Sequence, residues 1–189
     1  PPRSNRRRSS AASDVYNRHV DYISVYLVKK WYLNIVSPLT FIINLSLSSG
    51  QFPDRLKVAK VKPLYKKGVQ TEIENYRPVS LLSVFSKIIE RVMHNRLVSF
   101  LTFHKIIVDN QHGFRKGKST NTAIINFLER VYESIDKKEI GIGLFLDLSK
   151  AFDLVDHTIL LEKLRIIGIR GVAHSWFTSY LNNRIQRVE

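Results

Sequence analysis

Apolar residues recur along most of this chain with the spacing of α-helices. Over residues 83–103 they repeat every three or four positions, which places them on one helical face. The same spacing predicts a helix that begins at Ser119 or Thr120, and two more over 157–167 and 172–181. A chain with this pattern is expected to be rich in helix and able to build a core.

Another helix is marked by its ends. Ser37 can cap it, Pro38 suits its first turn and Gly50 suits its stop. The residues between are apolar on most sides, so this helix is expected to be largely buried. Residues 20–34, which mix apolar and basic side chains, favour a helix as well.

Three stretches predict β-strands. Residues 55–67 alternate apolar with basic side chains, and residues 76–81 return as a second short strand, so that the two form a basic hairpin. Residues 140–146 are nearly all apolar, as in a strand buried on both faces, and this strand ends at Asp147. The chain is therefore predicted to be α+β, helix-rich with short antiparallel strands.

The charge balance narrows the choice of partner. Lys and Arg number 30 against 16 Asp and Glu, and the net charge of +14 favours a polyanion, nucleic acid first and an anionic membrane second. No apolar run approaches the ~20 residues of a membrane span, so no membrane is expected. The absence of Cys excludes disulfides, thiolate zinc sites and a Cys nucleophile.

The ends of the sequence suggest a segment of a longer protein. It begins with Pro rather than Met, and no signal-peptide pattern follows. Residues 1–19 are polar, Arg-rich and aperiodic, which predicts a disordered basic arm. Its run Arg6-Arg7-Arg8 could contact phosphate or could be a solvated tail.

A cationic, glycine-containing stretch over residues 111–120 leads directly into a predicted helix. Arg115, Lys116 and Lys118 lie in it. Such a loop at a helix N-terminus suits phosphate, because backbone N–H groups and the helix dipole add to the side-chain charge. It is not a nucleotide-triphosphatase P-loop, because the spacing between its glycines is one residue too short.

Acidic residues follow the apolar run. Asp147 is either a Mg²⁺ ligand at the end of a strand or an ordinary strand-end acid. Asp153 and Asp156 are more simply helix caps. No second acidic pair follows, and His157 beside Asp156 is not part of a nucleophile–histidine–acid set.

Five ordered blocks carry a resemblance to a known family. The block FLDLSKAFDLVDH resembles the first palm motif of reverse transcriptases from non-LTR (LINE-like) retrotransposons. The other blocks resemble the finger motifs before it and the segment after it: SPLTFIINLSLSSGQFPDRLKVAKVKPLYKKG, NYRPVSLLSVFSKIIERVMHNRL, QHGFRKGKST and IIGIRGVAHSWFTSYLNNRIQRVE. Together they cover the chain from about Ile35 to Glu189.

The resemblance implies the fingers and an incomplete palm of a right-hand polymerase. The implied divisions are a basic arm at 1–19, a helical extension at 20–54, fingers at 55–136 and a partial palm at 137–189. The family's next motifs, a PQG block and a hairpin with paired aspartates, do not occur in this sequence. The chain alone is therefore not expected to polymerise.

The resemblance also assigns roles to residues. It implies that Asp147 and the backbone carbonyl of Leu148 bind metal, and that Phe152 is the steric gate against a 2′-OH. Arg77 corresponds to a finger arginine that contacts the triphosphate. The remaining roles are triphosphate contact by Lys66 or Lys62 and nucleic-acid contact by Arg115, Lys116 and Lys118.

The implied cofactor is Mg²⁺, two ions in the intact polymerase and at most an incomplete site here. The implied partners are an RNA template, a DNA primer and deoxynucleoside triphosphates, in the nucleus. Two other readings stay open. One is a catalytically inactive remnant that still binds nucleic acid, and the other is a structural domain without such a role.

Overall fold

The computed structural model describes residues 23–188, so the predicted arm over 1–19 lies outside the described residues. Within that range the chain is a helix-rich α+β structure with one small sheet, as predicted. Its elements are α1 (Val25–Lys30), α2 (Tyr32–Ser49), β1 (Val58–Tyr65), β2 (Tyr76–Leu81), α3 (Val84–Phe103), α4 (Thr120–Asp136), α5 (His157–Ile166), α6 (Gly171–Leu181) and β3 (Ile185–Val188).

The three strands form a mixed sheet in the order β2-β1-β3. β1 and β2 pair antiparallel, which confirms the hairpin predicted from residues 55–67 and 76–81. β3 pairs with β1 in parallel, so the prediction of antiparallel strands is wrong for this pair. The reason is connectivity: a helical crossover, which parallel pairing requires, separates β1 and β2 from β3.

The chain divides into two compact units. The first comprises residues up to His94 and from His157 onward, and the second comprises 95–156. The boundary falls inside α3, so one helix contributes residues to both. These units differ from the fingers and palm divisions implied by the resemblance, which stay a prediction.

The core of the first unit surrounds Trp176. This indole is 1% exposed, meets the ring of Phe52 edge-on at 5.5 Å and stacks on Tyr180 at 5.3 Å. Its Nε1–H donates to Ser46 Oγ at 3.0 Å, and Ser46 Oγ donates to the Gln51 carbonyl at 2.6 Å. The polar side-chain atoms of Trp176 and Ser46 are therefore paired, as burial requires.

Helix α2 is much less buried than its composition predicts. Only Ile43 and Ser46 on it are buried, while Leu33 and Phe41 are 71% and 68% exposed. The prediction of a largely buried helix is wrong, because within the described chain its neighbours cover one side of α2 only. By length and composition α2 could also cross a membrane, but a single helix of this kind is weak evidence for a membrane protein.

The apolar run before Asp147 is not a strand. Residues 139–148 have no regular secondary structure, and Ile142 and Leu144 are 92% and 81% exposed. The prediction of a buried strand over 140–146 is therefore wrong. A strand needs a neighbour for its N–H and C=O groups, and none of the described strands pairs with this segment. Its side chains contact α4 instead, through the rings of Phe145 and Phe127 at 5.6 Å.

Candidate nucleic-acid and nucleotide interface

The register of the β1–β2 hairpin places its three predicted nucleotide contacts on one face. Arg77 lies opposite Leu64, which is two residues from Lys62. Opposed residues, and residues two apart on a strand, share a face of the sheet. The ladder continues past β1, because the Lys66 N–H donates to the Asn75 carbonyl at 2.8 Å. Lys66 therefore lies on the same face as Lys62 and Arg77.

Not every cation of the hairpin is available to a ligand. Lys66 and Arg77 are exposed, and within the described chain neither side chain makes a hydrogen bond or an ion pair. Lys62 is half-buried. Lys57 is buried and pairs with Asp54 at 2.8 Å, so its charge is already compensated. The free positive charge is concentrated at the end of the hairpin next to its connecting loop.

The loop that joins the two strands is held by side chains at the ends of the loop and of the strands. The hydroxyl of Tyr65 donates to the Gly68 carbonyl at 2.5 Å, and that of Tyr76 donates to the Gln70 carbonyl at 2.8 Å. The Asn75 amide donates to the main chain of the loop at 2.8 Å. Gly68 has φ +99°, and a Cβ there would lie 2.6 Å from Asn75. The sequence pattern showed only a polar loop, so it missed these contacts.

A second cationic segment, residues 108–119, precedes α4 and is called the cationic loop. Its His112 contacts two side chains of α4. Nδ1 lies 2.8 Å from Thr122 Oγ1, and the Asn126 amide nitrogen lies 3.2 Å from Nε2. Nε2 accepts in this arrangement, so Nδ1 carries the proton and donates to Thr122. His112 thereby ties the loop to the first turns of the helix.

The three cations of this loop have different environments. Arg115 donates from Nη1 to the Val108 carbonyl at 3.0 Å and lies 3.9 Å from the Asp109 carboxylate. Lys118 donates from Nζ to the Asp109 carbonyl at 3.1 Å. Lys116 is exposed and, in the described part of the chain, has no such partner. The sequence predicts the same role, nucleic-acid contact, for all three residues, but their side chains have different partners in the structure.

The N-terminus of α4 is already capped. Ser119 is its N-cap, as one of the two predicted alternatives, and Ser119 Oγ accepts the Thr122 N–H at 3.3 Å. Thr122 Oγ1 accepts the Ser119 N–H at 2.9 Å in return. This capping box occupies two N–H groups that could otherwise bind an anion. The helix end is therefore less open to phosphate than the sequence predicts.

The two predicted metal-binding positions lie on the irregular segment after α4. Asp147 and Leu148 are exposed, and within the described chain the Asp147 carboxylate has no hydrogen-bond or ion-pair partner. Among the described residues no three His, Cys, Asp or Glu side chains come together as a metal site. The Asp147 carboxylate alone does not make a metal site, because a hard cation such as Mg²⁺ would need further oxygen ligands.

The predicted steric gate has an aromatic neighbour. Phe152 is 79% exposed in the turn after Asp147, and its ring meets that of Phe114 edge-on at 6.0 Å. Phe114 is 91% exposed and has φ +59°, a left-handed conformation that is unusual for an aromatic residue. No spacing rule could have paired residues so far apart in sequence.

The other two acids occupy turn and cap positions. The Asp153 N–H donates to the Lys150 carbonyl at 2.9 Å, which closes a turn. Asp156 immediately precedes α5, where an N-cap residue stands. The cap assignment thus suits Asp156, and Asp153 belongs to the turn before it.

The site residues thus form two groups in different units. Lys62, Lys66 and Arg77 belong to the first unit, and the cationic loop and the segment from Asp147 to Phe152 belong to the second. Each group keeps its own geometry, and the roles implied by the resemblance stay predictions for both.

Known proteins that this chain resembles include RNA-dependent DNA polymerases. Residues 64–189 match the family described as reverse transcriptase (RNA-dependent DNA polymerase). The chain is 35% identical over 147 residues to the probable RNA-directed DNA polymerase from transposon BS of Drosophila melanogaster, a match that covers 77% of this chain. It is 37% identical over 128 residues, 67% of the chain, to the RNA-directed DNA polymerase from mobile element jockey of the same species. The matches span only 16% and 14% of these relatives.

Proposed function

Because this chain belongs to the reverse transcriptase family, in its non-LTR (LINE-like) branch, we propose that it serves RNA-directed DNA synthesis as the fingers and first palm segment of a polymerase. The observation that carries this proposal is the cationic face of the hairpin. Lys62, Lys66 and Arg77 share it, and two of the three charges are free within the described chain.

The hairpin face is suited to the triphosphate of an incoming deoxynucleotide. Arg77 offers a planar fork of donors that matches phosphate oxygens, and Lys66 offers a compact charge beside it. The braced loop next to them limits the ordering that binding would have to impose. Lys62, half-buried, adds positive potential from the same face.

Mg²⁺ is the cofactor that reverse transcriptases generally use. In this chain Asp147 and the carbonyl of Leu148 are the proposed ligands, and Mg²⁺ would polarise the transferring phosphate. No group of three possible ligands occurs among the described residues, so Asp147 and Leu148 do not fit a complete site.

Phe152 is the proposed sugar gate. Its exposed ring stands five residues after Asp147. A flat apolar surface in that position would meet the 2′ carbon of a bound nucleotide and leave a 2′-OH without room or a hydrogen-bond partner. Rejection of a ribonucleotide on this basis needs no charge and no metal.

The proposed partners are an RNA template paired with a DNA primer, and deoxynucleoside triphosphates, in the nucleus. The net charge of +14 supports a polyanionic partner. Arg115, Lys116 and Lys118 are proposed to serve the nucleic acid, directly or through the shape of the cationic loop. The fingers are proposed to span 55–136 and the partial palm 137–189.

A second function is favoured by the single carboxylate. A chain with free cations and no acidic cluster in its described part could bind nucleic acid without catalysis, as the remnant of a polymerase. This remnant would share the binding behaviour of the first proposal. It would differ from the first proposal in that Asp147 would have no catalytic role.

Two binding measurements test the parts of this proposal. The double variant Lys66→Gln/Arg77→Gln is expected to weaken binding of a deoxynucleoside triphosphate by about tenfold or more, since each hydrogen bond to a charged phosphate contributes about 1.5–3 kcal/mol. The matched control, Lys29→Gln/Lys30→Gln, removes two exposed lysines of α1 and should leave triphosphate binding unchanged. Equal losses in both variants would contradict the role of the hairpin, and no binding of an RNA template annealed to a DNA primer at about 50 mM salt would contradict the nucleic-acid binding that both proposals share.

Primer extension separates catalysis from binding. The 189-residue chain with Mg²⁺ is expected to add no nucleotide to the annealed primer, and template-dependent synthesis would contradict this. In a longer polymerase that contains this chain, Asp147→Asn is expected to abolish synthesis and keep binding. Unchanged synthesis in that variant would remove Asp147 from the metal site.

A further inference from the structure

The cationic loop contains three positive residues whose surroundings divide them into two kinds. Arg115 and Lys118 are half-buried, and both donate to carbonyls of the segment that enters the loop. Lys116, between them, is exposed. This difference in burial and hydrogen bonding indicates different roles for the three residues.

The bonds of Arg115 and Lys118 act on consecutive residues. Arg115 holds the carbonyl of Val108 at 3.0 Å, and Lys118 holds that of Asp109 at 3.1 Å. The Arg115 side chain is only 24% exposed and lies near the Asp109 carboxylate. Two long side chains fixed to adjacent peptide groups close the loop on itself. Each side chain thus has one donor fixed to the main chain, and turning fully towards a phosphate would break that bond and open the loop.

This closure supports a strained residue. Phe114, directly before Arg115, has φ +59°, and a bulky side chain in that region persists only where neighbouring contacts determine it. His112 provides a third anchor through Thr122 and Asn126. The loop is therefore held from both of its ends and from α4, and its central residues are presented to solvent.

We propose that Lys116 is the residue of this loop that contacts a nucleic-acid phosphate, and that Arg115 and Lys118 are positioning residues that hold the loop in shape. The inference rests on the proposed function and refines it, because it removes two of three predicted contacts. A preformed loop lowers the ordering cost of binding, so loss of either clamp weakens binding without removing a phosphate contact.

The salt dependence of binding to the primed RNA tests this division. Lys116→Gln should reduce the slope of log affinity against log salt by about 0.7–0.9, the value for one phosphate contact. Arg115→Gln and Lys118→Gln should weaken binding about fivefold at every salt concentration, with the slope unchanged. Lys137→Gln, an exposed lysine beyond the other end of α4, is the matched control and should change neither quantity.

Two further measurements separate positioning from general destabilisation. Lys118→Arg keeps a donor for the Asp109 carbonyl, so it should restore binding close to that of the wild type. Amide hydrogen exchange over 108–119 should accelerate in Arg115→Gln and Lys118→Gln and stay unchanged in Lys116→Gln. A uniform loss of stability would accelerate exchange throughout the unit and would not be rescued by arginine.

The outcomes distinguish this inference from the function on which it rests. A slope that falls in Arg115→Gln as much as in Lys116→Gln would overturn the division of roles while leaving nucleic-acid binding intact. A slope unaffected by Lys116→Gln would overturn the contact. No salt-dependent binding by the wild-type chain would overturn the proposed function and the Lys116 contact together, and the exchange data would still report whether Arg115 and Lys118 hold the loop.

Discussion

Two apolar regions of this chain meet opposite surroundings. In the first unit Trp176 and Phe52 are 1% and 2% exposed, enclosed by side chains from α2, α3 and α6. In the second unit Ile142 and Leu144 are 92% and 81% exposed, although all seven residues from 140 to 146, directly before Asp147, are apolar or glycine. Both regions need burial, and only one has it within the described chain.

The difference lies in what other elements supply. Phe52, Ile89 and Trp176 come from distant parts of the sequence and converge because three helices bring them together. The segment around Ile142 has α4 on one side, where the ring of Phe145 meets that of Phe127 at 5.6 Å. An exposed apolar patch of this kind usually marks a surface that another protein segment covers. An apolar sequence therefore indicates that a segment is more stable when buried, but whether it is buried depends on which other elements pack against it.

The largest effect is expected from Trp176→Ala. Removing this indole should lower the free energy of unfolding of the first unit by about 3–5 kcal/mol, because it leaves a cavity among three elements. Denaturant unfolding followed by circular dichroism measures the change. Trp31→Ala is the control, since Trp31 is 55% exposed and its loss should cost about 0.5 kcal/mol or less. A small cost at Trp176 would remove the distinction between the two regions.

A smaller effect is expected from Ser46→Ala. This change leaves the buried Trp176 N–H without its acceptor and should cost about 1–3 kcal/mol. The control is Ser48→Ala on the same helix, where the exposed hydroxyl donates only to the Leu45 carbonyl. If the two variants unfold alike, the polar pairing of the core contributes nothing to its stability.

The third effect depends on pH and acts through Tyr180. Burial raises the pKa of its hydroxyl, and the nearby Glu90 carboxylate raises it further. A raised folded pKa means that the stabilisation is complete below the unfolded pKa of about 10 and is lost as pH rises through the folded value. The denaturation midpoint of the first unit should therefore fall above about pH 10. Tyr180→Phe, measured alongside, should show a shallower fall, and an identical fall in both would contradict this role.

Much of the fold could be predicted from local patterns. Alternation located β1 and β2, three-and-four spacing located α3, α4, α5 and α6, and Ser119 was one of two predicted caps. These signals depend on neighbours in sequence, which is why they succeed. The parallel pairing of β3 and the exposure of α2 depend on elements far along the chain, and no local pattern contains them.

The candidate site shows the same division. Register follows from alternation, so the shared face of Lys62 and Arg77 could be predicted once the hairpin was recognised. The partners of Arg115 and Lys118 could not, because a bond to a carbonyl seven or nine residues away depends on the path of an irregular loop. A sequence gives the number of cationic residues, and the structure shows which of them already have hydrogen-bond or ion-pair partners within the protein.

The smallest effect is expected in the exposed segment itself. Ile142→Ser should change the free energy of unfolding by about 0.5 kcal/mol or less, because a side chain that is 92% exposed loses little packing. The matched buried isoleucine, Ile89→Ala, should cost about 2–5 kcal/mol by the same measurement. The serine variant should also self-associate less in sedimentation experiments, since it reduces an exposed apolar surface. If Ile142→Ser instead lowers the free energy of unfolding as much as Ile89→Ala does, the Ile142 side chain is buried in solution, and the two apolar regions do not differ in burial.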